Sequence, residues 1–130
     1  MVIDTSAIVA ILSDEPRALE FETAMANDTV RLLSAATLLE TAIVIESRYG
    51  PAGGRELDLL LHAAQVEVVS VSREQAEMAR EAWRRFGRGR HRAGLNYGDC
   101  FAYALSKVSG EPLLFQGPDF RATDVEMALS

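Results

Sequence analysis

A chain of 130 residues with 48% hydrophobic side chains is long enough for one domain with its own core. Its formal charge of −6 excludes a general nucleic-acid-coating role, though not a local basic patch. The single cysteine, Cys100, excludes an internal disulfide and suits a reducing compartment. No basic residue precedes Asp4, and the apolar stretch Ala7–Leu12 is far short of the roughly 20 residues of a membrane span, so the expectation is a cytoplasmic protein with no membrane partner.

In chain order, Val2–Asp4 reads as a strand that stops on a carboxylate, followed by a short helix from Ser6. Pro16 opens a helix to about Ala26, with Ala18, Phe21 and Met25 on one face, and Asn27-Asp28 stops it. Val30–Leu33 is a short strand. Ser34 then caps a long helix that ends at Gly50-Pro51, its apolar positions including Ala36, Leu39, Ala42, Ile43 and Val44. Gly53-Gly54 reads as a flexible break before a helix over Arg55–Ala64. Val66–Val71 alternates like a strand. Glu74–Phe86 is helical, with Ala76, Ala79, Trp83 and Phe86 expected inside. After a loop over Gly87–Gly94, a helix starting at Asn96 or Gly98 runs to about Val108 and closes at Gly110. Pro112–Phe115 is an apolar strand, Gly117 to Phe120 a turn, and Asp124–Met127 a last short strand or turn. Strands alternating with helices imply a parallel sheet covered on both faces, an α/β fold.

Four acids stand where such a sheet would gather them. Asp4 and Asp119 follow strands, at the edge where open α/β sheets bind ligands. Asp99 opens a mostly apolar helix, and Glu40 sits among Ala36, Thr37, Ile43 and Val44 within a helix. Each has an ordinary explanation as well: Asp4 and Asp99 as helix caps, Glu40 as a rim residue reaching water, Asp119 as a turn former. Gathered together, the four would repel unless a divalent cation neutralised them. All-oxygen ligands, with His62 and His91 isolated from any second ligand, favour Mg²⁺, with Mn²⁺ as substitute. Carboxylate-held Mg²⁺ commonly serves phosphoryl chemistry through activated water. Asp4 and Asp99 are the expected direct ligands. Glu40 and Asp119 would orient a water, hold a second ion or act as general base.

The cations are uneven. Arg84, Arg85, Arg88, Arg90 and Arg92 crowd into nine positions that contain no acid. The segment carries +5, while the remaining eight cations stand against nineteen acids, −11. It leads directly to Asn96 and Asp99. On its own it reads as a solvated helix end; beside an acidic metal site it is expected to hold a nucleic-acid backbone.

Several stretches resemble one family: Val2-Ile3-Asp4-Thr5-Ser6-Ala7, Leu39-Glu40-Thr41, the run from Leu95-Asn96-Tyr97-Gly98-Asp99-Cys100 to Ala104, and Leu113-Leu114-Phe115 with Asp119-Phe120. The chain resembles the PIN-domain ribonucleases, and among them the VapC toxins of type II toxin–antitoxin pairs. The resemblance covers essentially residues 1–130 as a single PIN domain. It implies a three-layer α/β/α sandwich around a central parallel sheet. It implies catalytic acids at Asp4, Glu40, Asp99 and Asp119, with Thr5 or Ser6 and Asn96 as supporting polar residues. It further implies Mg²⁺- or Mn²⁺-dependent endonucleolytic cleavage of RNA, neutralisation by a VapB-like antitoxin, and a homodimer. Many members carry a further Asp or Asn where this chain has Gly117.

The nearest alternative is a PIN nuclease that processes RNA without being a toxin; another is a catalytically silent binding module. A metal-binding phosphate-receiver signalling domain would need an acidic pair after the first strand and a lysine ending a late strand. Here Thr5 follows Asp4, and the one lysine, Lys107, lies within a helix. A haloacid-dehalogenase-type phosphatase would need an aspartate where Ser6 stands.

Overall fold

A computed structural model describes residues 1–130. The elements are β1 (Val2–Ile3), α1 (Thr5–Leu12), α2 (Ala18–Asn27), β2 (Leu32–Ser34), α3 (Ala35–Ala63), β3 (Glu67–Val69), α4 (Arg73–Phe86), α5 (Tyr97–Ser109) and β4 (Leu113–Leu114), followed by a 3-10 turn over Phe120–Ala122. The four strands form one all-parallel sheet in the order β3-β2-β1-β4. After β1 the chain builds outward through β2 and β3, then crosses to the opposite edge for β4. The order therefore reverses between β1 and β4, where sheets of this kind open a crevice at the carboxyl ends of their strands.

Two apolar clusters show the layers. Successive strand residues point to opposite faces. Val2 and Leu113 pack with Ala82, Phe86, Tyr103 and Leu105 of α4 and α5, while Ile3, Leu33 and Leu114 pack with Ile8, Phe21 and Leu57 of α1, α2 and α3. Both faces of the sheet are covered, so the fold is the α/β/α sandwich expected.

β1, β3 and β4 are shorter than the apolar runs that carry them. Glu67–Val69 is an edge strand paired only with β2, and Val68 is exposed. Met127 adds a single parallel bridge beside Leu113. The long helix breaks at Gly50, whose φ of 68° and ψ of −160° are non-helical, and helix resumes at Pro51, a residue suited to a first turn. Gly53 and Gly54 are helical, contrary to the expected break there. A Cβ on Gly53 would lie 2.8 Å from Tyr49 Cβ and 2.9 Å from Ile45 Cγ2, so the glycine lets the two segments pack closely.

Two expected inward faces are rotated. On α3 before its break the buried side chains are Thr37, Thr41 and Ile45, leaving Leu39 63% and Ile43 57% exposed. On α4 they are Gln75, Ala79, Ala82 and Phe86, leaving Ala76 and Trp83 at the surface. Of the buried threonines on α3, Thr41 meets Thr5, which bonds one of the acids described next.

Candidate active site

Asp4 leaves β1 as the cap of α1. Its Oδ2 accepts hydrogen bonds from the Ser6 amide at 3.0 Å and the Ser6 hydroxyl at 2.6 Å. The Ser6 hydroxyl oxygen in turn accepts from the Gln116 amide at 2.9 Å, tying the end of β1 to the chain after β4. Asp4 Oδ1 is buried and has no hydrogen-bond partner. An unpaired carboxylate oxygen in such a place is costly. Burial, with the Glu40 charge adding a smaller contribution, pushes the Asp4 carboxyl up to about 6 against the lowering effect of Ser6.

Asp99 has the same double arrangement. Asn96 caps α5 by accepting from the Asp99 amide at 2.9 Å, while Asp99 Oδ2 accepts from the Asn96 amide at 3.0 Å, a reciprocal capping box. Asp99 Oδ1 takes no part in the cap. Burial raises this carboxyl to about 7, opposed by the Asn96 amide and reinforced by the charges of Asp4, Glu40 and Asp119. Capping and membership of the acid group are thus not alternatives for Asp4 and Asp99: one oxygen serves the helix, leaving the other outside the cap.

Glu40 is fixed by its neighbours. Thr5 Oγ1 donates to Glu40 Oε1 at 2.6 Å and lies 2.9 Å from Thr41 Oγ1, which donates to the Thr37 carbonyl at 2.8 Å. A Cβ placed on Gly98 would fall 1.7 Å from Glu40 Oε2. Only glycine lets the Glu40 carboxylate lie against the first turn of α5. Neither Gly98 nor Thr41 stands out as a site residue in the sequence. Gly98 had a readable signal, a glycine inside a helix that costs about 1 kcal/mol relative to alanine. Asp119 is exposed, beyond Gly117 with its φ of 101°, and its charge reaches Asp99.

No three acid, histidine or cysteine side chains form a closed metal cage. The donor set nevertheless suits Mg²⁺, an ion that keeps several waters and takes only one or two protein carboxylates. Asp4 Oδ1 offers a buried oxygen without a partner.

The arginines divide into two groups. Arg85 approaches Asp124 at 3.3 Å and lies over the Phe86 ring, while Asp124 also accepts from the Tyr103 hydroxyl at 2.6 Å and meets Lys107. Arg85 is therefore held in a network that joins α4 and α5 to the carboxyl-terminal segment. Arg84 makes only an exposed 3.6 Å contact with Glu81, and Arg90 lies over Trp83. Arg88 and Arg92 are exposed on a loop pinned at its ends by the Gly87–Leu95 bridge, with the Arg88 amide bonded to the Leu95 carbonyl.

The sequence profile of the PIN domain matches residues 1–126. The chain is 68% identical over 125 residues to a ribonuclease VapC of Mycolicibacterium smegmatis, covering 96% of this chain and 97% of that one. The chain belongs to the PIN-domain family, among the VapC ribonucleases. VapC30 of Mycobacterium tuberculosis is 63% identical over the same length, covering 96% of this chain and 95% of that protein. Among solved structures, the VapC fold is shared with Mycobacterium tuberculosis VapC20, a sarcin–ricin loop cleaving toxin, at a TM-score of 0.76, 21% identity and 95% coverage of each chain. It is shared also with VapBC2 of Rickettsia felis bound to a promoter DNA fragment, at a TM-score of 0.74, 12% identity and coverage of 97% and 95%.

The raised carboxyls give a pH prediction for the metal-free protein. The native state binds protons on Asp4 and Asp99 more tightly than the unfolded chain, so their contribution to stability is greatest in acid and falls as pH rises from about 4 to about 7. In EDTA, Asp99→Asn should raise the melting temperature at pH 8 and flatten its decline between pH 5 and 8. A variant less stable than wild type at pH 8, with the same pH slope, would contradict this charge arrangement.

Proposed function

We propose that this chain is the toxin of a type II toxin–antitoxin pair, an endoribonuclease that works in the cytoplasm with Mg²⁺, or Mn²⁺ in its place. The observation that carries the reading is Asp4 Oδ1, buried without a partner in a group of acids that includes Glu40 and Asp99. The relatives named ribonuclease VapC support it, and no helix is long and apolar enough to cross a membrane.

Asp4 and Asp99 would hold the ion, which when bound supplies Lewis-acid activation of water and neutralises charge at the scissile phosphate. Ser6 keeps Asp4 in place through two hydrogen bonds, so the acid does not swing away when protonated. Thr5 fixes Glu40, which orients the attacking water. Asp119, on the exposed rim, accepts the water's proton or holds a second ion. Arg84, Arg88, Arg90 and Arg92 bind the flanking phosphates, whereas Arg85 serves mainly to hold Asp124. A VapB-like antitoxin neutralises the enzyme by covering the acids, which would accept an arginine from it. The exposed apolar residues Leu39 and Ile43 of α3 suit a homodimer.

Incubation of wild-type and Asp99→Asn protein with total bacterial RNA tests the reading. Discrete cleavage is expected from wild type with Mg²⁺ or Mn²⁺ and from neither protein in EDTA; cleavage by Asp99→Asn at the wild-type rate would refute the site. Replacing Arg88, Arg90 and Arg92 together by alanine should weaken RNA binding and reduce its salt slope by about 2, since each phosphate neutralised on a single strand adds roughly 0.7 to that slope. An unchanged slope would remove those arginines from the interface.

A further inference from the structure

A cavity of about 660 Å³ opens between α4 and α5 beside the acids, within the range of roughly 300–1,000 Å³ typical of small-ligand sites. Ala79, Leu95 and Cys100 are buried residues of its lining, while the exposed Trp83 and Tyr97 also line it. Tyr97 is 82% exposed in the first turn of α5, its ring edge-on to Phe101 at 4.9 Å. Trp83 is 45% exposed and carries the Arg90 guanidinium 4.2 Å from its ring centre. Core packing accounts for neither aromatic.

The polar members of the lining are Arg80, Arg88 and Asn96, and no acid lines the cavity. Arg88 forms no ion pair, and Arg80 makes only an exposed 3.8 Å contact with Glu77, worth little in water. Asn96 uses its side-chain oxygen in the helix cap, so its amide N–H groups remain as donors. The groove also adjoins the acids. Asn96 and Tyr97 lie within three residues of Asp99, and Tyr97 lines a second, smaller cavity together with Glu40 and Gly98.

We propose that this groove holds an unpaired nucleobase of the RNA substrate, next to the phosphate delivered to the acids. The inference rests on the ribonuclease reading and deepens it by naming a site for base selection. Aromatic walls stack a base face, guanidinium and amide donors meet acceptors on its edge, and the surrounding cations take the adjoining phosphates, which is how single-stranded RNA is read. A groove that joins cations and amide donors to aromatic and apolar walls favours a flat ligand with acceptors on its edge and a negative phosphate alongside.

Trp83 is the one tryptophan in the chain, so its fluorescence reports on the groove directly. Full-length protein in EDTA, which prevents cleavage, would be titrated with a dye-labelled single-stranded RNA and with an abasic strand of equal length, following anisotropy for binding and Trp83 emission for the groove. The base-bearing strand should quench Trp83, and the abasic strand should bind about tenfold more weakly without quenching, as expected from roughly 1–3 kcal/mol per stacked base. Ala76→Phe, an exposed α4 substitution that fills the groove, should lower affinity for the base-bearing strand to the abasic level. Equal affinity for both strands with no Trp83 response would overturn the inference and leave the nuclease reading standing. A Trp83 change that follows the protein's own concentration, or appears only on adding a purified antitoxin, would give the groove to a second copy or a protein partner and also overturn it. Absence of binding to any strand, both in EDTA and with Ca²⁺ in place of Mg²⁺, would overturn the RNA reading itself.

Discussion

Asp4 and Asp99 sit where burial and mutual repulsion both oppose their charge, and the local structure is arranged to hold them there. Burial is the larger cause of the raised carboxyl in each case, with neighbouring acids adding to it. Helix capping restrains both residues. The Ser6 contacts and the reciprocal Asn96–Asp99 bonds each secure one oxygen, so neither acid can relieve the repulsion by rotating into solvent without uncapping a helix. Glu40 is restrained differently, by the Thr5 hydroxyl on one side and the bare backbone of Gly98 on the other. Holding restrained acids together in this way is costly, and costs of this kind concentrate at functional sites.

The topology accounts for why these acids meet. In a parallel sheet ordered β3-β2-β1-β4, the carboxyl ends of β1 and β4 flank the point where the order reverses. Asp4 follows one strand and Asp119 the other, and the Gln116 amide bonded to Ser6 joins the two loops. α5 then brings Asp99 by its amino-terminal turn, and α3 brings Glu40 from the opposite layer. The site is thus assembled from both helical layers, with the sheet edge between them.

Much of this is legible in the sequence because it rests on local signals. A strand ending on Asp4, Ser34 before a long helix, Asn96 three residues before Asp99 and Gly110 after an apolar run each specify a cap or an end by chemistry confined to a few residues. What is not legible depends on the rotation of a helix against its neighbours. Leu39, Ile43 and Trp83 are apolar and fall at helical spacing, so they read as core, yet Thr37, Thr41 and Ala82 take the buried positions. Thr41 turns its hydroxyl toward Thr5 and the Thr37 carbonyl, and small Ala82 lets α4 approach α5. The break at Gly50-Pro51 is legible from those two residues, whereas the helical state of Gly53-Gly54 is not, because the close packing of Gly53 on Ile45 has no local signature. Large apolar residues displaced to the surface then become the material for interfaces.

The proposed ion is best tested through the two raised carboxyls. Calorimetric titration of the protein with Mn²⁺ at pH 6.5, repeated in buffers of different ionisation enthalpy, measures the protons released for each ion bound. With Asp4 near 6 and Asp99 near 7 in the metal-free state, binding should release a substantial fraction of a proton at pH 6.5, a release that fades by pH 8.5 and is reduced in Asp99→Asn. Binding with no proton release at pH 6.5, or equal binding by Asp99→Asn, would contradict it.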